Sequence, residues 1–396
     1  MYICPVIRQL TSPQPHLSTI YKRLIKNLLR DVFKSYRHVF VILLTHISGN
    51  ARRPFFLPLY GRTYAQITPY KLFFMMTFST LPTSYAPIGQ PLWCSLSGVA
   101  DPQVEVRILL SDDTLLGVKR FVGDASPTFD LAPYLRRVAR FSPSGDRSTG
   151  VASAADRQLM IRLEAVSASA MISSPLMIFR PADVEEQPTA LLTTLPTERL
   201  LAPDEWDELT FLADAPQPLR VVVTGRDGST RVLSHVIPAD TLALFHLAAA
   251  DFPDADQLLV DAGACGAIHY TILPAAEGAC RLAWASRRGS IEHYTFSVVQ
   301  RVEFAVEKVR GYGEEGYCVG YCEAEERLVL QSALETDAML NGLKELLQAE
   351  QVWLVQASGY ERVDVLTEKA EIHRHGLLSS LTLTIRSTQK NKQLWN

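Results

Sequence analysis

The feature that most constrains this chain is a repeated two-residue alternation in short runs. Val104, Val106, Ile108 and Leu110 alternate with polar neighbours, as do Leu159, Ile161 and Leu163, and later Leu381, Leu383 and Ile385. A period of two places apolar side chains on one face of an extended strand and polar ones on the other. Each run is 5 to 8 residues long and ends in turn chemistry. Ser111-Asp-Asp113 follows the first, and Gly225-Arg-Asp-Gly228 carries the Asp-Gly pair that favours a tight hairpin. The expected fold class is therefore mainly β: two antiparallel β-sandwich domains followed by a small α+β domain.

The expected boundaries follow the pattern. The first sandwich spans 77-182, with a short helical turn after Asp130 and an exposed Ser/Gly/Asp/Ala-rich loop over 142–156. The second spans 190-298, with strands at Leu209 to Leu212, Leu219 to Thr224, Arg231 to Ile237 and Leu242 to Leu247. A final hairpin there pairs Arg281-Leu-Ala-Trp284 with Glu292-His-Tyr-Thr-Phe296. The third unit spans 299-388. Met339, Leu340, Leu343, Leu346 and Leu347 fall at helical spacing behind a Thr336 or Asp337 cap, and four strands follow.

Composition decides what the chain is not. It has 396 residues, 47% hydrophobic and 20% charged, with a net charge of -3, so it can bury several cores and is not a disordered chain. Six cysteines are too few for a disulfide scaffold. No apolar run approaches the ~20 residues of a spanning helix. Charge is unevenly placed. Residues 1-74 carry eleven Lys and Arg against Asp31 alone, giving +10, and the remainder carries -13. Three readings apply to this basic N-terminal extension. It is an unfolded stretch created by a mis-set start upstream of Met75-Met76, a basic arm for anionic partners through residues such as Arg52-Arg53, or a secretion signal around Val39 to Leu44. The first is the expected one. It implies synthesis in the cytoplasm with cysteines as free thiols.

Candidate chemistry is sparse. Cys318 and Cys322 with His373 and His375 offer Cys2His2 ligand types, but the His-x-His spacing departs from a zinc finger, and two thiols in a β hairpin is the plainer reading. Cys265, in Gly263-Ala-Cys-Gly266 with His269 nearby, offers a nucleophile and a base; a glycine-rich turn explains the stretch as well. Gly311-Tyr-Gly313 and the acidic residues Glu314, Glu315, Glu323, Glu325 and Glu326 read as loop. Trp206, Trp284, Trp353 and Tyr294 read as core aromatics, with a sugar-stacking platform as the alternative. No phosphate-cradling or nucleophile-elbow motif occurs. Accordingly no catalytic, cofactor or metal site is expected.

One stretch carries a resemblance. A strand with Trp284 runs into a turn at Gly289, then an acidic residue, then Tyr294-x-Phe296. This resembles uncharacterised structural, tail-associated proteins of phages and prophages of Bacteroides-type bacteria. The layout from Met75 onward is similar too, through an opening β domain near Tyr85-Ala-Pro, a Leu-rich helix and the Val352-Trp353 strand. The resemblance implies a non-enzymatic virion component that associates with itself and with other tail proteins, with no nucleic acid on the folded part. A secreted or surface carbohydrate-binding or adhesion β-sandwich protein is the alternative, and it requires an export signal.

Overall fold

The computed structural model describes residues 75–314 and 316–388, and the backbone of 391–393. The three readings of residues 1-74 fall outside the described residues. The described residues fall within one compact unit.

The first ten strands are β1 (Thr77–Thr80), β2 (Ala86–Pro87), β3 (Trp93–Ser97), β4 (Gln103–Leu110), β5 (Leu115–Val122), β6 (Thr128–Asp130), β7 (Gly150–Ser153), β8 (Leu159–Ser167), β9 (Met171–Ser173) and β10 (Met177–Arg180). All but β7 form a sandwich: a sheet in the order β1-β3-β6 faces a sheet in the order β2-β10-β8-β4-β5, with β9 beside β8. The alternating residues do what their period requires. Val104, Val106 and Ile108 of β4 and Ile161 and Leu163 of β8 fill the core with Cys94, Leu96 and Phe179. The short helix α1 (Ala132–Arg136) follows Asp130, whose carboxylate accepts N–H bonds from Ala132 at 3.0 Å and Leu92 at 2.7 Å.

The middle strands are β11 (Ala190–Leu192), β12 (Glu198–Leu201), β13 (Trp206–Ala213), β14 (Gln217–Gly225), β15 (Thr230–Ile237), β16 (Thr241–Ala248), β17 (Ala255–Asp261) and β18 (Ala267–Ile272). Sheets ordered β11-β13-β16-β7 and β12-β18-β17-β14-β15 enclose Leu209, Phe211, Phe245, Val221, Leu258 and Ile268. β7 corrects one expectation. The 142–156 segment is not a free loop: its Gly150–Ser153 pairs with β16, contributing an edge strand to the second sandwich. Its Gly, Ser and Ala content hides a strand because a short edge strand needs few bulky side chains.

The last strands are β19 (Cys280–Ala285), β20 (Ile291–Phe296), β21 (Val298–Gly313), β22 (Gly316–Gln331), β23 (Val352–Gln356), β24 (Gly359–Val365), β25 (Glu371–His375), β26 (Leu378–Ser387) and β27 (Asn391–Gln393). They form one antiparallel sheet in the order β20-β19-β23-β24-β26-β22-β21, with β25 beside β26 and β27 beside β22. The hairpin of β19 and β20 thus hydrogen-bonds to β23, not to the middle sandwich, and the expected boundary at 298 falls inside this sheet. Sequence proximity placed it one unit too early; side-chain contacts decide otherwise. Trp284 and Phe296 share a core with Leu340, Leu343 and Leu346 of helix α2 (Asp337–Leu346), which Thr336 caps by accepting the Met339 N–H. One helix lies on a nine-stranded sheet that includes β19 and β20, so the helix and strands expected over 299-388 share their sheet with the preceding hairpin.

A second difference is larger. β21 and β22 pair as a hairpin of two 16-residue strands, about 50 Å long at strand rise. Gly311-Tyr-Gly313 and the acidic residues Glu323, Glu325 and Glu326 belong to these strands, not to loops.

Candidate functional site

The resemblance motif packs as structure. Trp284 and Phe296 are fully buried, and Tyr294 meets Phe296 edge-on at a ring separation of 5.0 Å. Tyr294 donates to Glu335 at 2.7 Å, and burial, reinforced by that carboxylate, raises its phenol above the ordinary range. Gly289 sits at φ +88°, where a Cβ would meet the Pro181 carbonyl at 3.2 Å. Its turn docks on the first sandwich: Arg180 donates to the Arg288 carbonyl at 2.7 Å, and the Asp183 N–H donates to the Arg287 carbonyl at 2.8 Å. The four motif residues are therefore a wedge in the core and a joint to the first sandwich. Trp206 and Trp353 are also buried, so Trp206, Trp284, Trp353 and Tyr294 present no shared exposed stacking face.

The densest chemistry lies around β13, all eight of whose residues are buried. Adjacent carboxylates Asp207 and Glu208 point to opposite faces of the strand, as extended backbone requires. Asp207 accepts from Tyr270 at 2.6 Å and from Arg199 at 3.1 Å, and His293 Nδ1 lies 3.0 Å away. Arg199 also approaches the motif's acidic residue, Glu292, at 3.4 Å. Glu292 accepts from the Thr193 hydroxyl at 2.9 Å, the Thr194 N–H at 3.0 Å and the Ser290 hydroxyl at 2.9 Å. On the other face Glu208 accepts from Arg157 at 2.8 Å and from the Ser144 N–H at 3.1 Å, with His246 at 3.6 Å. Nearby, Arg281 donates to Glu205 at 3.0 Å and to the Trp206 carbonyl at 2.8 Å.

The surroundings of Asp207 and Glu208 favour their ionised forms. Burial pushes Asp207 up, but His293 and the Arg199 and Arg281 guanidiniums outweigh it and hold the carboxyl well below its usual range. Burial of Glu208 is outweighed by His246 and Arg157, which bring it down to about 2. A chain of contacts from Asp207 through His293 to the Tyr360 hydroxyl, 2.9 Å from Nε2, has the connectivity of a proton relay. Its terminal group argues for a different role. The Tyr360 hydroxyl accepts from Trp206 Nε1 at 3.0 Å, and burial raises its pKa to about 12, the wrong direction for an activated nucleophile. The arrangement ties three elements together: β12 and β13 of the middle sandwich, the 142–158 segment, and β20 of the last sheet. A cleft of about 320 Å³ beside it is lined by Leu201, Arg281, His293, Tyr294, Glu335 and Met339.

The remaining candidates separate. Cys265 is buried, and burial followed by the Asp214 charge raises its thiol pKa, while His269 is exposed on β18. Cys318 and Cys322 are free thiols on β22. The exposed His373 and His375 pair with the 378–380 end of β26, whereas β22 runs past the other end, at Arg386, before reaching the two cysteines. Among the described residues no group of three or more His, Cys, Asp or Glu is placed to hold a metal ion. Glu325 pairs with Arg327 and with Arg386 at 3.2 Å.

Little in the sequence points to the β13 cluster. Asp207 and Glu208 lie inside a buried strand, and their arginine partners, Arg199 and Arg157, lie 8 and 51 residues away. The one available signal was the acidic residue within the resemblance motif, Glu292.

No family model and no curated protein matches the chain. Among solved structures, it is similar to the Salmonella enterica SafA pilin in complex with the SafB chaperone, at 14% identity over 50% of this chain and 96% of that one, with a TM-score of 0.20. It is also similar to the E. coli chaperone DraB, at 13% identity, 50% and 96% coverage and a TM-score of 0.20. A third is a 1.5-MDa bacterial ice-binding adhesin, at 8% identity, 66% and 92% coverage and a TM-score of 0.17. Scores this low carry no functional argument; the β-sandwich architecture stands on this chain's own strand pairing.

Proposed function

We propose that this protein is a non-enzymatic structural component that works by assembly, and specifically a tail-associated subunit of a phage or prophage virion. The observation that carries the assembly reading is the β21–β22 hairpin. It extends an open sheet edge and leaves Val302, Phe304, Val306, Val309, Tyr312 and Tyr317 exposed. Exposed apolar rows on a long open edge are a pairing surface. The buried charges around β13 fix the middle sandwich against the β20 end of the last sheet and leave the β21 end free of them. The virion assignment rests on the resemblance carried by Trp284, Gly289, Tyr294 and Phe296.

The test is to sediment particles from the producing cells and identify their proteins by mass spectrometry. Stoichiometric recovery of this chain with tail proteins supports the virion reading. Recovery only from the cell surface or medium overturns it in favour of the adhesion reading.

A further inference from the structure

The outer edge of β21 carries a self-complementary pattern. No described strand pairs with that edge, and β21 hydrogen-bonds only to β22. Register shifts at Val299/Arg301 and Val309/Arg310 bracket a regular window from Arg301 to Val309, about 30 Å long. Within it Val302, Phe304 and Val306 share one face, opposite Leu328, Glu326 and Ala324 of β22. Phe304 is 68% exposed and Val302 57%.

We propose that a second copy of this chain pairs antiparallel with β21, edge to edge, about a two-fold axis at Phe304. This deepens the assembly reading and rests on it. Such an axis keeps each residue on its own face and sets residue pairs by symmetry. Arg301 then lies opposite Glu307, and Glu307 opposite Arg301. Val302 lies opposite Val306, and Phe304 meets its own copy. The neighbouring registers are worse. An axis at Glu303 sets two carboxylates face to face, and one at Ala305 sets Glu303 opposite Glu307. Like charges directly opposite destabilise a strand pair, while opposite charges and aromatic pairs stabilise it. Among axes at Glu303, Phe304 and Ala305, the charge pattern therefore favours the one at Phe304.

The test is sedimentation velocity of the full chain over a concentration series. Wild type is expected to self-associate. R301E and E307R each replace two attractive cross-strand pairs by repulsive ones and weaken association about tenfold. The double variant R301E/E307R restores it, because the opposite charges are exchanged, and F304E abolishes it. Unchanged melting temperatures show that the fold is intact. Association that ignores all four variants overturns the edge pairing while leaving the assembly reading standing. Failure of the double variant to restore association overturns the register and the proposal with it. A wild-type chain that stays monomeric at every concentration overturns self-pairing, and particle recovery then decides the assembly reading separately.

Discussion

The β13 junction and the β21–β22 hairpin are both rich in charge, and they use it oppositely. At the junction Asp207, Glu208 and Glu292 are buried and each faces a guanidinium. Their desolvation is offset only while every partner is present. On the hairpin Arg301 is exposed and Glu303 half-buried, water screens them, and their pairing within one strand contributes little to folding. Charge inside the body holds sheets together. In the proposed pairing, charge on the hairpin sets which partner strand fits.

Removing one side of the buried pairs is the strongest way to break this contrast. Glu208→Ala leaves Arg157 buried without its carboxylate, and the expected loss is about 3–5 kcal/mol in denaturant unfolding. A loss near zero would mean that the junction does not hold the body together.

Acid attacks the same groups. Glu208 is depressed when folded, so its contribution is fully present above its unfolded pKa. That contribution fades as pH falls from about 4.5 towards 2. Asp207 acts in the same sense. Stability of wild type is expected to fall across that window more steeply than that of Glu208→Gln; equal slopes would contradict the linkage.

Gly289→Ala probes the joint to the first sandwich. A positive φ and a 3.2 Å approach to Pro181 both oppose a methyl group, and the expected cost is about 1–2 kcal/mol. A neutral result in thermal melts would show that the turn relaxes freely.

The smallest effect on folding belongs to the hairpin. Phe304→Glu touches no core, so stability should stay within about 0.5 kcal/mol by the same melts, while association disappears. A large destabilisation would mean that Phe304 packs into the body.

What the sequence disclosed follows the same divide. Strands with one wet face, β4, β8 and β26, were legible because burial imposes a period of two. Helix α2 was legible from its leucine stripe and cap. The hairpin was legible only around Cys318 and Cys322; its length was not, because neither face of a solvated ribbon is buried, so no alternation is enforced and its glycines and glutamates read as loop. β13 was legible as a strand from Leu209 onward, but not as a site. The partners of Asp207 and Glu208 come from β12, β18, β20 and Arg157, so only the tertiary fold brings them together.

The most direct measurement is residue-resolved amide hydrogen exchange of the full chain at rising protein concentration. Trp206–Ala213 should be protected throughout, and Arg301–Val309 should pass from rapid to slow exchange as copies pair. Equal, concentration-independent exchange across Arg301–Val309 would contradict the account.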